Sequence, residues 1–192
     1  MPLLLETIKV EDGEVHNLSY HQERFEKSRK ELFGLEDNMV LSSVIEAPPK
    51  GLYRCRILYH KTIHTIDYIP YLPKEIHRLK IVSSNISYSY KYADRTPLND
   101  LLEKEKHYDE VIIEKEGLLT DTTIANIAFY DGEQWVTPAK PLLEGTMRAK
   151  LLDEGYLYKK EIKREDLKAY RRVALMNSML GFKILNDFSI EQ

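Results

Sequence analysis

Apolar positions along the chain repeat with two periods. Runs in which aromatic or β-branched residues alternate with polar ones predict strands, and apolar residues spaced through charged stretches predict helices. LLLETIKV, the turn Glu11-Asp12-Gly13 and Glu14-Val15-His16 predict a β-hairpin, with Asp-Gly supplying the positive-φ positions. Over residues 20–33, Tyr20, Phe25, Leu32 and Phe33 are separated by charges and followed by Gly34, the pattern of a helix ended by glycine. A second helix is expected over 38–46, before Pro48-Pro49. CRILYH, TIDYIPY and HRLKIVSS then read as three strands.

Ser83-Ser84-Asn85 reads as a linker. The expected organisation is therefore a small N-terminal α/β domain over 1–82, a linker over 83–86 and a larger C-terminal domain over 87–192. In SYSYKYADR, alternation would place Tyr88, Tyr90 and Tyr92 on one strand face and Ser87, Ser89 and Lys91 on the other. A helix over 97–107, the strand DEVIIEK, a turn at Glu116-Gly117 and a hairpin of IANIAFY and QWVTP around Asp131-Gly132 follow. A helix over 146–154 stopped by Gly155, a short helix near 164–170 and the strand RVALMNS complete the chain. The fold class is mixed α/β in two lobes, without repeats or coiled-coil heptads.

Composition narrows the function classes. With 43% hydrophobic and 31% charged residues, a chain of 192 can fold without staples. Its 28 Lys+Arg against 31 Asp+Glu give a net charge of −3 with no basic block, so nucleic acid and anionic membranes have no electrostatic support as partners. Cys55 is the only cysteine, which excludes an intrachain disulfide and suits a reducing cytoplasm. The start MPLLLETIKVEDGE is too short in apolar residues for a signal core or a spanning helix, so a soluble protein is expected. The histidines lack metal-ligand spacing. His60 and His64 are four apart, but in a β region that spacing does not build the helical two-histidine site. Nucleophile-elbow, phosphate-loop and dinucleotide-binding glycine motifs are absent.

Four places could carry chemistry, and each also has a plain structural reading. Lys91 is an amine on an expected strand, where most lysines are simply solvated. Asp121, in Thr120-Asp121-Thr122-Thr123, could hold a pyridine nitrogen protonated or could cap loop N–H groups. Gly145-Thr146-Met147-Arg148 opens a helix whose N–H groups suit a phosphate, or is an ordinary capped helix. Arg24, in HQERFEKS, could fork onto phosphate oxygens or lie in solvent, with His21 beside it as a structural hydrogen bonder. Lysine, acid and glycine-initiated helix in this order supply what pyridoxal phosphate (PLP) needs: an amine for the aldehyde, an anion for the ring nitrogen, and N–H donors for the phosphate.

LETIKVEDGEV, HQERFEKSRKELFG, KYADRTPLNDLL, the long segment from DEVIIEK to EGTMRAKLL, and ALMNSMLG follow one another in this chain. In that order they resemble the fold-type IV PLP enzymes, the class IV aminotransferase family. The family includes branched-chain and D-amino acid aminotransferases and 4-amino-4-deoxychorismate lyase. The resemblance implies a two-lobed D-amino acid aminotransferase-like fold, bound PLP, a small amino-group substrate and a homodimer. It implies that Lys91 is the Schiff-base lysine and proton shuttle, and that Arg24 binds phosphate. Asp121 falls where the family has the glutamate that partners the pyridine nitrogen, and Asn126 matches the asparagine of a Ser-Asn pair. Thr146 and Met147 match the helix-start pair that holds phosphate, and Ser178 the late hydroxyl that closes the phosphate cup.

Lys91-Tyr92-Ala93-Asp94-Arg95 is closer to the lyase-like K-x-x-N-R than to the K-x-x-x-N-Y of branched-chain aminotransferases. This implies elimination of pyruvate with aromatisation to 4-aminobenzoate, a step of folate biosynthesis, with Arg95 and Arg148 meeting substrate carboxylates and Thr7 near the substrate. Transamination of a D- or branched-chain amino acid is the alternative, and an inactive cofactor-binding protein a second. Three departures from the family pattern stand out. The strand and acidic, Gly-rich segment ahead of Leu5-Glu6-Thr7 are expected to be missing, Asp121 is one methylene shorter than glutamate, and Thr122 and Ala125 replace a glycine and the serine.

Overall fold

A computed structural model describes residues 1–36 and 39–192. The chain divides into two compact units, Met1–Pro73 with Tyr90–Asp94, and Lys74–Ser89 with Arg95–Gln192.

In the first unit, β1 (Leu4–Glu11) and β2 (Glu14–Val15) form the expected hairpin, with Asp12 and Gly13 at φ 49° and 85°. Helix α1 (Leu18–Phe33) ends at Gly34 in the left-handed region. There Gly34 N donates to Lys30 O and Leu35 N to Arg29 O, the paired closure that spares the last carbonyls. β3 (Leu52–Tyr59) and β4 (Ile63–Pro70) complete an antiparallel sheet of order β2-β1-β3-β4. Leu4, Ile8 and Val10 of β1 pack with Phe25, Cys55, Ile57 and Tyr59 to form its core.

Two expectations fail in this unit. Over 39–46 the structure has only a 3-10 turn, Leu41–Ser43, in place of a helix, and residue 38 lies outside the described residues. The Gln22 side chain accepts from Leu41 N at 2.7 Å and donates to Met39 O at 2.8 Å. These contacts tie the backbone of the segment to α1. The stretch around Lys91 is also not a regular strand. Leu5 N donates to Lys91 O and Ala93 N to Leu3 O, both at 2.9 Å, around a single bridge between Leu4 and Tyr92. Tyr90 and Tyr92 pack on the core of the first unit while Tyr88 is buried in the second, so the three tyrosines do not share a face.

The second unit begins with β5 (Arg78–Ser83), which pairs in parallel with β6 (Glu110–Lys115) through Leu79–Glu110 to Ser83–Glu114. Residues 83–86, expected as a linker, thus lie inside this unit, because Leu79 and Ile81 belong to its core. After α2 (Thr96–Glu103) and β6 come β7 (Leu118–Thr122), β8 (Asn126–Tyr130) and β9 (Trp135–Pro138). Helix α3 (Thr146–Asp153) leads to β10 (Leu157–Lys160), and a 3-10 stretch, Arg164–Ala169, precedes β11 (Arg172–Asn177), β12 (Gly181–Ile184) and β13 (Ser189–Glu191). The strands run β10-β9-β8-β7-β6-β5-β13, with β11 on β8 and β12 on β11. Ile112, Ile127, Phe129 and Leu175 lead one buried cluster, and Trp135, Ala174 and Met176 a second.

Candidate active site

Lys91 and Arg24 belong to the first unit. Arg24 lies on α1 and grips Glu6 of β1 with both Nε (2.9 Å to Oε1) and Nη2 (2.6 Å to Oε2). His21, one turn earlier, places Nδ1 2.6 Å from the same Oε2. Burial alone would raise the Glu6 carboxyl, but the Arg24 charge and the hydrogen bonds from His21 and Arg24 overcome it and hold the pKa at about 2. Burial lowers the His21 pKa against the pull of Glu6, and the Arg24 and Lys91 charges lower it further. A neutral imidazole facing an acceptor-only carboxylate carries its proton on Nδ1 and donates it to Glu6. Lys91 is held by its backbone at Leu5, and its side chain is half-buried. Thr7 follows Glu6 on β1 and is half-buried.

Asp121, Asn126, Thr146, Met147, Arg148, Arg95 and Ser178 belong to the second unit. Asp121 and Asn126 face each other across β7 and β8. The Asp121 carboxylate, 4% exposed, accepts from Asn126 Nδ2 at 2.7 Å and from Leu143 N at 2.9 Å. Burial raises its pKa to about 6 against those two donors and the Arg148 charge. The turn between the strands is closed by Thr122. Its Oγ1 donates to Ala125 O at 3.1 Å and accepts from Ala125 N at 3.0 Å, so this threonine builds the turn.

Asn126 Nδ2 also donates to Leu143 O at 2.8 Å. A Cβ at Gly145 would lie 2.1 Å from Asn126 Oδ1, so only glycine lets the chain pass this close before α3 begins. Thr146 is buried and Met147 half-buried in the first turn of α3, which has no side-chain cap. Arg95 Nη2 donates to Thr123 O at 2.8 Å, clamping the turn beyond Asp121. Arg148 is 3% exposed, donates to Pro138 O at 2.9 Å and leaves Nε buried without a partner. Ser178 is half-buried after β11, beside Asn177, whose Nδ2 donates to Ile124 O at 3.1 Å. Asp121, Asn126 and the Leu143 backbone are thus hydrogen-bonded together, with the Arg148 charge acting on Asp121, and Arg95 and the β11 end are tied to the turn beyond it.

Two acids missed in the sequence support these elements. Glu6 is one, at an inward position of the alternation Leu4, Glu6, Ile8, Val10; that alternation was the signal available for it. Glu110 is the other. Its Oε1 accepts from Thr123 Oγ1 at 2.7 Å and Thr123 N at 3.1 Å, and burial raises its pKa. Nothing in the spacing around Glu110 marks it. A cavity of about 320 Å³ in the second unit is lined by Ser87, Tyr88, Lys115, Thr120, Lys140 and Leu142 among others, and none of the expected site residues borders it. Among the described residues, no group of three or more His, Cys, Asp or Glu side chains could hold a metal ion, and no helix is long and apolar enough to cross a membrane.

The profile of the amino-transferase class IV family matches residues 3–184. The chain belongs to this family. It is therefore an enzyme of the class IV aminotransferases, with the mixed α/β architecture of that family. A crystal structure of a candidate 4-amino-4-deoxychorismate lyase from Haemophilus somnus 129PT is similar to it at 39% identity and a TM-score of 0.87, covering 94% of this chain and 98% of that one. An uncharacterized protein of Haemophilus influenzae is 37% identical over 185 residues, 93% of this chain and 98% of its own. The PLP-bound form of a hypothetical aminotransferase from Mycobacterium tuberculosis shares the fold at a TM-score of 0.78 and 15% identity, over 98% of this chain and 81% of that one.

Proposed function

We propose that this class IV aminotransferase binds PLP and acts as a 4-amino-4-deoxychorismate lyase. When bound, the cofactor supplies an aldehyde for an amine and a ring that draws electrons from the substrate carbon. The residues present fit that group on the chemistry of the Asp121 environment. A carboxylate has about four acceptor positions, and Asp121 meets donors from Asn126, Leu143 and Leu142, which leaves capacity for the N–H of a protonated ring nitrogen. A positive partner there would also relieve the burial that holds its pKa up.

Lys91 would hold the aldehyde, and its Nζ would carry the proton taken from the substrate carbon. Arg24 and the first turn of α3, with Thr146 and Met147, bind phosphate, and Ser178 adds a hydroxyl. Asn126 keeps Asp121 in place. Arg95 meets a substrate carboxylate from its post on the Thr123 carbonyl. Thr7 lies near the substrate, while Arg148 serves through its charge beside Asp121. The lyase reading is carried by the likeness to the H. somnus protein, 39% identical over nearly all of both chains. Pyruvate release from aminodeoxychorismate, assayed beside amino transfer to 2-oxoglutarate, tests it. Pyruvate production supports the lyase, and amino transfer without pyruvate replaces it with an aminotransferase. A small amino-group substrate is common to both. A cytoplasmic homodimer in the supply of 4-aminobenzoate completes the proposal, and light scattering of the purified protein checks the dimer.

A further inference from the structure

A charged side chain occupies a core position of β1. Leu4, Glu6, Ile8 and Val10 all point inward at 0% exposure, so Glu6 stands where alternation calls for an apolar residue. A buried carboxylate is tolerated only when fully paired. Here Oε1 accepts Arg24 Nε, and Oε2 accepts both Arg24 Nη2 and His21 Nδ1, all within 2.9 Å.

Stability alone does not call for this arrangement, because a well-packed apolar group in place of a buried ion pair is often neutral or stabilising. Its distinctive product is the fixed attitude of Arg24. A planar guanidinium held along its Nε–Nη2 edge cannot rotate, and its Nη1 edge is turned away from Glu6. Of the three side chains only Arg24 reaches the surface, 13% exposed against 0% for Glu6 and His21. The Lys91 charge acts on His21 in the same unit, so the network lies in the field of the proposed cofactor lysine.

We propose that Glu6 is a positioning residue for phosphate recognition, aiming the Arg24 guanidinium at the cofactor phosphate with His21 as a brace. The proposal rests on the PLP reading above. It predicts a selective defect. PLP and pyridoxal, the same aldehyde without the phosphate, are titrated into wild-type and variant protein and followed by absorbance, with circular-dichroism melts to establish folding. Glu6→Gln should weaken PLP binding about tenfold or more, as expected for loss of a charge-assisted hydrogen bond, and leave pyridoxal binding within about twofold. On an Arg24→Met background the same substitution should add nothing. Equal loss for both aldehydes, or an undiminished effect without Arg24, would make Glu6 merely structural and overturn the proposal.

Should Glu6→Gln fail to fold, Arg24→Lys asks the same question. Lysine keeps the charge but cannot take both Glu6 oxygens in one plane, so the preference for PLP over pyridoxal should fall. A preserved preference overturns the proposal. Wild-type protein that binds neither aldehyde sinks the PLP reading itself, an outcome recognisable before any variant is made.

Discussion

Asn126 and Gly145 are fitted to each other: a Cβ on Gly145 would sit 2.1 Å from Asn126 Oδ1, while Asn126 Nδ2 holds Asp121 and the Leu143 carbonyl. The identity of one glycine thereby controls the seat of the buried acid.

Gly145→Ala should therefore destabilise the protein by about 2 kcal/mol or more through steric conflict, lowering Tm by roughly 5 °C. Gly145 has φ −72°, so backbone conformation contributes nothing to that loss. Gly34→Ala is the contrast. Gly34 has φ +67° and open space around it, so only the left-handed backbone penalty of about 1 kcal/mol is expected. Equal Tm changes in the two variants would contradict the steric account.

Acid should loosen the first unit through Glu6. Its folded pKa of about 2 lies below the ordinary 4.5, so the contribution of its network is complete above pH 4.5 and is lost as pH falls toward 2. Fluorescence melts between pH 6 and about 2 should show this loss, and Glu6→Gln should flatten it.

Asp121 has the opposite sign. Its folded pKa of about 6 lies above the ordinary 3.8, so the stability it contributes is complete below pH 3.8 and is lost as pH rises through 6. PLP should reverse this by favouring the ionised carboxylate. Affinity for PLP should accordingly weaken as pH falls below about 6, and Asp121→Asn should remove that dependence while weakening binding at neutral pH. An unchanged pH profile in the variant would exclude Asp121 as the titrating partner.

Lys91→Ala should abolish the yellow absorbance of the PLP-loaded protein, and borohydride reduction should fix the cofactor on the peptide containing Lys91 in wild type only. Mass spectrometry of the digested protein provides the readout. Cofactor fixed on Lys115 or Lys140 instead would assign the wrong lysine.

Much of this architecture was legible because it depends on near neighbours. The Asp12-Gly13 hairpin, α1 ended by Gly34, and the hairpin of β8 and β9 each follow from side-chain period and turn chemistry within a few residues. Failures arose where a distant group claimed the backbone. Gln22 bonds both Met39 and Leu41 across a wide sequence separation, replacing an expected helix with a single tight turn. Leu3 and Leu5 take up the backbone around Lys91, so a segment that alternates as well as any strand is not one.

The sequence by itself determined the class of fold, the order of lysine, acid and glycine-opened helix, and the family to which they belong, because these depend on residue type and spacing. Tertiary structure alone decided the electrostatics. Asp121 and Glu6 are both buried carboxylates, yet one has its pKa raised to about 6 and the other lowered to about 2. The difference lies in the donors that folding brings to each. Asp121 receives neutral N–H groups and the Arg148 charge, which together do not offset its burial, whereas Glu6 is held by the bidentate charged fork of Arg24.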